Sequence, residues 1–277
     1  MSMQVPAAGG PDFDWDDAYA NGAHIAGADQ FPPRWAAAAA AFRKAHPDQQ
    51  LDIPYGDHPR ARLDLFRPAG SALGLVVFVH GGYWMRFDKS SWSHLAQGAL
   101  AAGWAVALPS YPLAPEARIS EITRTIARAV DTVAALVPGP LRLAGHSAGG
   151  HLVTRLATTE GGLDPVTLGR LAAVVSISGL HDLRPLLRTK MNDTLGLDEA
   201  EAASESAISY APSPAPIELT AWVGADERPE FIRQSQLLKQ HWPDTAVVIE
   251  DGTHHFDVIA GLEWVDSPIT RVLVGSA

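Results

Sequence analysis

The sequence predicts an α/β protein in which a mostly parallel sheet of about eight strands lies between layers of helix. Two observations carry this. Short, continuously apolar runs (Gly74–Val79, Trp104–Leu108, Leu141–Ala144, Ala172–Ile177, Leu219–Val223 and Ala246–Ile249) have the length and character of strands buried on both faces. Stretches of helical pattern (Ser90–Ala102, Ser120–Val137, Ala148–Thr158 and Pro229–His241) alternate with them, and that alternation implies right-handed βαβ crossovers.

The remaining elements follow along the chain. Residues 12–50 are rich in Ala with scattered aromatics, namely Phe13, Trp15, Tyr19, Phe31, Trp35 and Phe42. Within them Arg34–Ala45 reads as a helix, ended by His46-Pro47 because proline disfavours the α region in the residue before it. Leu51–Tyr55 and Arg62–Phe66 alternate apolar and polar residues, as half-buried edge strands do, with a Gly-Asp-His-Pro turn between them. Residues 180–213 break the alternation and hold only short amphipathic pieces, Leu183–Leu187 and Asp198–Ser206. An excursion there, at the carboxyl end of the strand at 172–177, overhangs the crevice where such sheets bind ligands. It is expected to cover the site together with the N-terminal segment. No linker or repeat divides the chain, so the organisation expected is an extension, 1–50, packed on one domain, 51–277.

Composition narrows the function classes. The 277 residues are 47% hydrophobic and 19% charged, enough to build a sizeable core. A net charge of −10, with no Lys/Arg cluster, argues against nucleic-acid and anionic-membrane partners. Arg124 and Arg128 look like the solvated face of a helix. There is no cysteine, which removes disulfides, thiolate chemistry and Cys-ligated metals, and favours a reducing compartment. Met1–Pro11 lacks the basic and apolar regions of a secretory signal. Leu75–Val79 and Ala99–Leu108 are too short to span a bilayer, so a cytoplasmic location is expected.

The chemistry-bearing signal is Gly145-His146-Ser147-Ala148-Gly149, between the strand at 141–144 and the helix at 148–158. In that setting G-x-S-x-G is a nucleophile elbow. A serine hydroxyl is a poor nucleophile and must project from a tight turn toward a base while open to substrate. Small flanking residues make the strained turn tolerable, and the helix that follows aims its free amides at the point where oxyanion charge develops. His80-Gly81-Gly82, at the end of the strand at 74–79, has the form of an oxyanion loop, whose partner donor is the amide of Ala148. His80 itself reads as an orienting residue. In the order Ser, acid, His, the acid follows a late strand, which selects Asp226 with Glu227 as its rival. The base lies after the last strand, as His254 or His255. A metal site at that pair is disfavoured because no further ligand spacing completes one. The histidines at 24, 46, 58, 94, 151, 181 and 241 are expected at the surface or at caps.

Together, His80-Gly81-Gly82-Tyr83-Trp84, Asp88-Lys89-Ser90, Gly145–Leu152 and His255-Phe256 resemble the kynurenine formamidase (arylformamidase) branch of the α/β-hydrolases, from about residue 50 onward. The Tyr-Trp after His-Gly-Gly is the more specific element. The resemblance implies an α/β-hydrolase fold and cofactor-free hydrolysis of N-formyl-kynurenine to kynurenine and formate, through an acyl-enzyme. It maps the triad onto Ser147, Asp226 and His255 and the oxyanion donors onto Gly81 or Gly82 and Ala148. His255 is preferred because the base precedes Phe in that branch. Tyr83, Trp84 and His146 are expected to line the substrate site, although Trp84 would serve equally as a packing anchor, and Trp15, Tyr19 and Trp35 read as core. The partner expected is a small, aromatic substrate, with a homodimer left open. A broad short-chain carboxylesterase is the alternative, and a non-catalytic ligand-binding homologue a remote one, since every catalytic element is present.

Overall fold

The computed structural model describes residues 13–47 and 49–275; Met1–Pro11 lies outside them. Eight strands form one sheet: β1 (Gln50–Pro54), β2 (Arg62–Phe66), β3 (Leu75–Val79), β4 (Ala105–Pro109), β5 (Leu141–His146), β6 (Leu171–Ile177), β7 (Glu218–Gly224) and β8 (Ala246–Glu250). Their order is β1-β2-β4-β3-β5-β6-β7-β8. β2 is antiparallel to both neighbours, and every other pairing is parallel. The directions are as the patterning implies, but burial departs from it twice: β2 lies inside β1 and is buried from Leu63 to Phe66, its Asp64 paired with Lys89, while β8, expected to be buried on both faces, is the far edge strand and partly exposed.

The apolar runs work by period two. Leu75, Val77 and Val79 join the core on one face of the sheet, while Val76 and Phe78 join the core on the other. The helix Ile119–Leu136 covers the first face with Ile119, Ile122, Ile126, Val130 and Val133, which recur at helical spacing. Trp92, Leu95, Ile259 and Leu262 fill the second face.

One helical expectation fails. Ser90–Ala102 is not continuous: 3₁₀ turns at Lys89–Ser91 and Ser93–Ala96 precede a short helix, Gln97–Ala101. Asp88 accepts the Ser90 amide at 2.8 Å and so starts a turn there. Trp92 then breaks the winding to bury its ring against Trp35 and Phe87. Tertiary burial of one large ring overrides local propensity.

The described part of residues 12–50 packs on this body. Trp15 and Tyr19, in the helix Trp15–Tyr19, join the first core, and Phe42, in the helix Phe31–Ala45, joins the second. The 180–213 segment folds as the short turns and helices Arg184–Arg188, Asn192–Leu195 and Glu199–Ser204. The Gln234 side-chain oxygen fastens its start by accepting the amides of His181 and Asp182 at 2.8 and 2.9 Å. No helix of the described residues is long and apolar enough to cross a membrane.

Candidate active site

Parallel register brings the carboxyl ends of β3, β5 and β6 level, with Val79 beside Gly145 and Gly145 beside Ser176. The chemistry-bearing turns thus meet at one edge of the sheet. Ser147 sits between β5 and the helix Ala148–Leu156 at φ 56°, ψ −116°, a conformation that costs a non-glycine residue ~1–3 kcal/mol. Its amide donates to the Ile177 carbonyl at 2.7 Å, and its carbonyl accepts the His151 amide at 3.1 Å. Close approach explains the neighbouring glycines. A Cβ on Gly149 would lie 2.0 Å from the Val79 carbonyl oxygen, and one on Gly81 would lie 2.8 Å from that of His146 and 3.0 Å from the Ser147 Cβ. The backbone of the His80-Gly81-Gly82 loop therefore lies against the serine.

Buried neutral histidines brace this loop and turn. His80 donates Nδ1–H to the Gly81 carbonyl at 2.7 Å and stacks on Tyr111, whose hydroxyl donates to the His80 carbonyl at 2.9 Å. Burial pushes the His80 imidazole down to about 4. His146 donates Nε2–H to the backbone carbonyl of His255 at 2.9 Å, and burial, with His255 close by, holds its pKa well below the usual range. One side chain of the elbow thus carries the backbone of His255, which lines the same cavity as Ser147.

The carboxylate that meets His255 is that of Glu227, not Asp226. His255 donates Nδ1–H to Glu227 Oε2 at 2.6 Å; both side chains are buried. Glu227 Oε1 also accepts from Ser178 Oγ at 2.5 Å and from the Gly224 amide at 2.9 Å. Asp226 is exposed, with its backbone amide tied to the Thr253 carbonyl at 3.0 Å. The cause is the tight turn that follows β7, where the Glu227 amide returns to the Gly224 carbonyl. That turn aims residue 226 outward and folds residue 227 back under the strand end, where the longer side chain reaches the imidazole. Of the paired histidines, His255 is the one inside. His254 pairs with Asp257 at 3.1 Å near the surface.

Ser147, His255, Gly81, Gly82, Tyr83 and His146 line one cavity of about 80 Å³, closed by Trp35, Arg86, Phe87, Trp92 and Phe256. Trp84, expected there, is instead 1% exposed in the core with Trp15 and Leu152, its ring set edge-on to His151. Tyr83 and Trp84 both have φ near +55°, so the chain reverses sharply after Gly82; Tyr83 faces the cavity and Trp84 the core. Trp35 departs from expectation the other way, lining the cavity while only half-buried. His94, His151 and His181, expected at the surface or at caps, are buried. Among the described residues no group of three His, Cys, Asp or Glu could hold a metal ion. A roomier cavity of about 510 Å³, lined by Leu219 and Trp242, lies at the amino ends of β7 and β8, the opposite edge of the sheet from Ser147.

Sequence reasoning passed over Ser178, Arg86, Phe87, Trp92 and Phe256 as site residues. Ser178 and Phe256 left a trace, since one directly follows a core strand and the other follows the base. Trp92 reaches the cavity through the broken 89–101 segment, and Phe87 from the turn just before it, which no periodicity shows.

A family model described as "Alpha/beta hydrolase family" matches residues 76–277. The chain is 29% identical to the kynurenine formamidase of Salmo salar over 238 residues, 81% of this chain and 80% of that protein. Among solved structures, a candidate thioesterase of Silicibacter sp. TM1040 superposes with a TM-score of 0.92 at 50% identity, covering 95% of this chain and 100% of that one. Esterase B of Lactobacillus rhamnosis shares the fold, with a TM-score of 0.65 at 17% identity over 90% of this chain and 91% of that one.

Proposed function

Because this chain belongs to the α/β-hydrolase family, we propose that it is a serine hydrolase that cleaves small aryl formamides, or related amides and esters, through an acyl-enzyme on Ser147. The observation that carries the reading is the buried Glu227–His255 pair, whose imidazole lines the same small cavity as Ser147. Glu227 holds the proton of His255 on Nδ1, which leaves the Nε2 lone pair free as a base. His255 takes the Ser147 proton as the hydroxyl attacks the carbonyl carbon. The negative oxygen is held by the amides of Ala148 and of Gly82 or Gly81. The imidazolium then protonates the departing amine or alcohol, leaving the acyl group on Ser147. Water, deprotonated by His255, attacks this ester, and the imidazolium returns that proton to Ser147 Oγ as the bond to the acyl carbon breaks and the acid leaves.

Size favours a small acyl group. Drug-sized ligands occupy ~300–1,000 Å³, well above the cavity beside Ser147, and a formyl group carries only hydrogen on its carbonyl carbon. Aromatic walls from Trp35, Phe87, Trp92 and Phe256 suit an aryl leaving group. The likeness to kynurenine formamidase supports a formamide. The 50% identity to a candidate thioesterase supports a second reading, in which a short-chain thioester or ester is cleaved by the same steps.

The test compares N-formyl-kynurenine, p-nitrophenyl acetate, p-nitrophenyl octanoate and an acetyl thioester, with wild type and Ser147→Ala. Turnover of small substrates, refusal of octanoate and loss of at least ~10³-fold activity in the variant are expected. A fully active Ser147→Ala protein would sink the assignment.

A further inference from the structure

We propose that Arg86 is a specificity residue that pairs with an anionic substituent, a carboxylate above all, on the substrate's leaving group. This rests on the serine-hydrolase reading and adds a charge to the substrate class. Among the described residues that line the cavity, Arg86 supplies the one fixed positive charge, and none is Asp or Glu. The other arginines around the site are engaged. Arg60 donates to the backbone carbonyls of Tyr111 and Phe87, Arg228 pairs with Asp17, and Arg34 lies over the Phe31 ring at 5.3 Å. Among the described residues the Arg86 side chain has neither a hydrogen-bonded partner nor an ion pair, and Arg86 is exposed at the cavity's rim.

Its placement is built rather than incidental. The Met85 and Arg86 amides both donate to the Gly82 carbonyl, at 2.9 and 3.0 Å, and a Cβ on Gly82 would lie 2.5 Å from the Arg86 carbonyl oxygen. Gly82, Tyr83 and Phe87 all have positive φ, so a tight turn places Arg86 at the same opening as the oxyanion loop. A planar guanidinium matches a carboxylate in bidentate fashion, beside aromatic walls that take a flat ring. The chain as a whole carries a net charge of −10 and repels anions at long range. An unpaired arginine at the opening reverses that sign locally, where the substrate enters.

The experiment uses two aryl acetates that differ by one group, phenyl acetate and 4-carboxyphenyl acetate. It measures the ratio of their kcat/KM values in wild type, Arg86→Gln and Arg86→Lys, at low and high salt. The carboxylated ester is expected to be favoured by wild type. The ratio should fall about tenfold in Arg86→Gln, mostly through KM, and be partly kept in Arg86→Lys. Salt should erode the wild-type preference, because the pair is near solvent. Hydrolysis of both esters with a ratio that Arg86→Gln leaves unchanged overturns the role of Arg86 while the serine-hydrolase reading stands. Hydrolysis of neither, with no labelling of Ser147 by a fluorophosphonate, overturns both.

Discussion

Glu227 and Glu230 are buried carboxylates in successive turns of the chain, and their charges are met in opposite ways. Glu230 is clamped by Arg233, with Nε and Nη2 at 2.6 and 2.7 Å, and also accepts from the Tyr19 hydroxyl and the Gln234 amide, both at 2.8 Å. Among the described residues Glu227 meets no permanent cation: its partners are a hydroxyl, a backbone amide and the His255 ring. A carboxylate already paired with guanidinium is a fastener. Here it joins the helix Trp15–Tyr19 to the helix Pro229–His241, and Gln234 continues the link to the 180–213 segment at His181 and Asp182, a segment that was expected over the site but contributes no residue to the lining of the cavity. A carboxylate held by neutral donors keeps its charge available to an imidazole that becomes cationic during a reaction cycle. The same residue type builds an anchor or an electrostatic reserve according to its partners.

Three substitutions bear on this contrast. Glu227→Gln is expected to have the largest effect, lowering kcat by ~10³–10⁴-fold with little change in fold. Gly224 and Ser178 both donate to Oε1, so the amide oxygen is wanted there. The NH₂ group then faces His255 and forces the wrong tautomer. Circular dichroism with steady-state kinetics reads this out, and near-wild-type kcat would remove the distinction between the two glutamates. Glu230→Gln should instead cost stability, ~3–5 kcal/mol, because Arg233 is left buried without its counter-charge. A shifted denaturant midpoint, with the remaining folded protein still turning over substrate, is the expected result. Loss of activity at unchanged stability would reverse the comparison. Asp226→Asn should have the smallest effect, kcat/KM within about twofold of wild type, as for an exposed side chain with no specific partner. A loss as large as that of Glu227→Gln would return the acid to Asp226.

Much of this was legible in the chain. The inner strands β3 to β6 announce themselves because burial on both faces demands unbroken apolar runs, whereas β2 reads as alternating only because Asp64, buried and paired with Lys89, interrupts its apolar residues. Ser147 is legible because an elbow needs small residues at fixed positions on either side of it. The long helices at 119–136 and 229–241 show their spacing because their burial is one-sided. The 89–101 segment does not, since its course is decided by where the Trp92 ring finds partners from the helix Phe31–Ala45 and from Phe87.

By itself, then, the sequence determined the layered α/β architecture, the elbow at Ser147, the loop at Gly81 and Gly82, and the pair of positions from which a base would come. These are local demands, met by residues adjacent in the chain. Tertiary structure decided which of two neighbouring acids faces the imidazole, that His255 rather than His254 is inside, that Trp84 packs while Trp35 lines the cavity, and that an unpaired arginine stands at its rim. Each of those depends on how separate turns press together at the sheet edge. The contact between Gly224 and Thr253, where a Cβ would come within 2.2 Å of a carbonyl oxygen, brings the turns of Glu227 and His255 together, and no short run of residues encodes it.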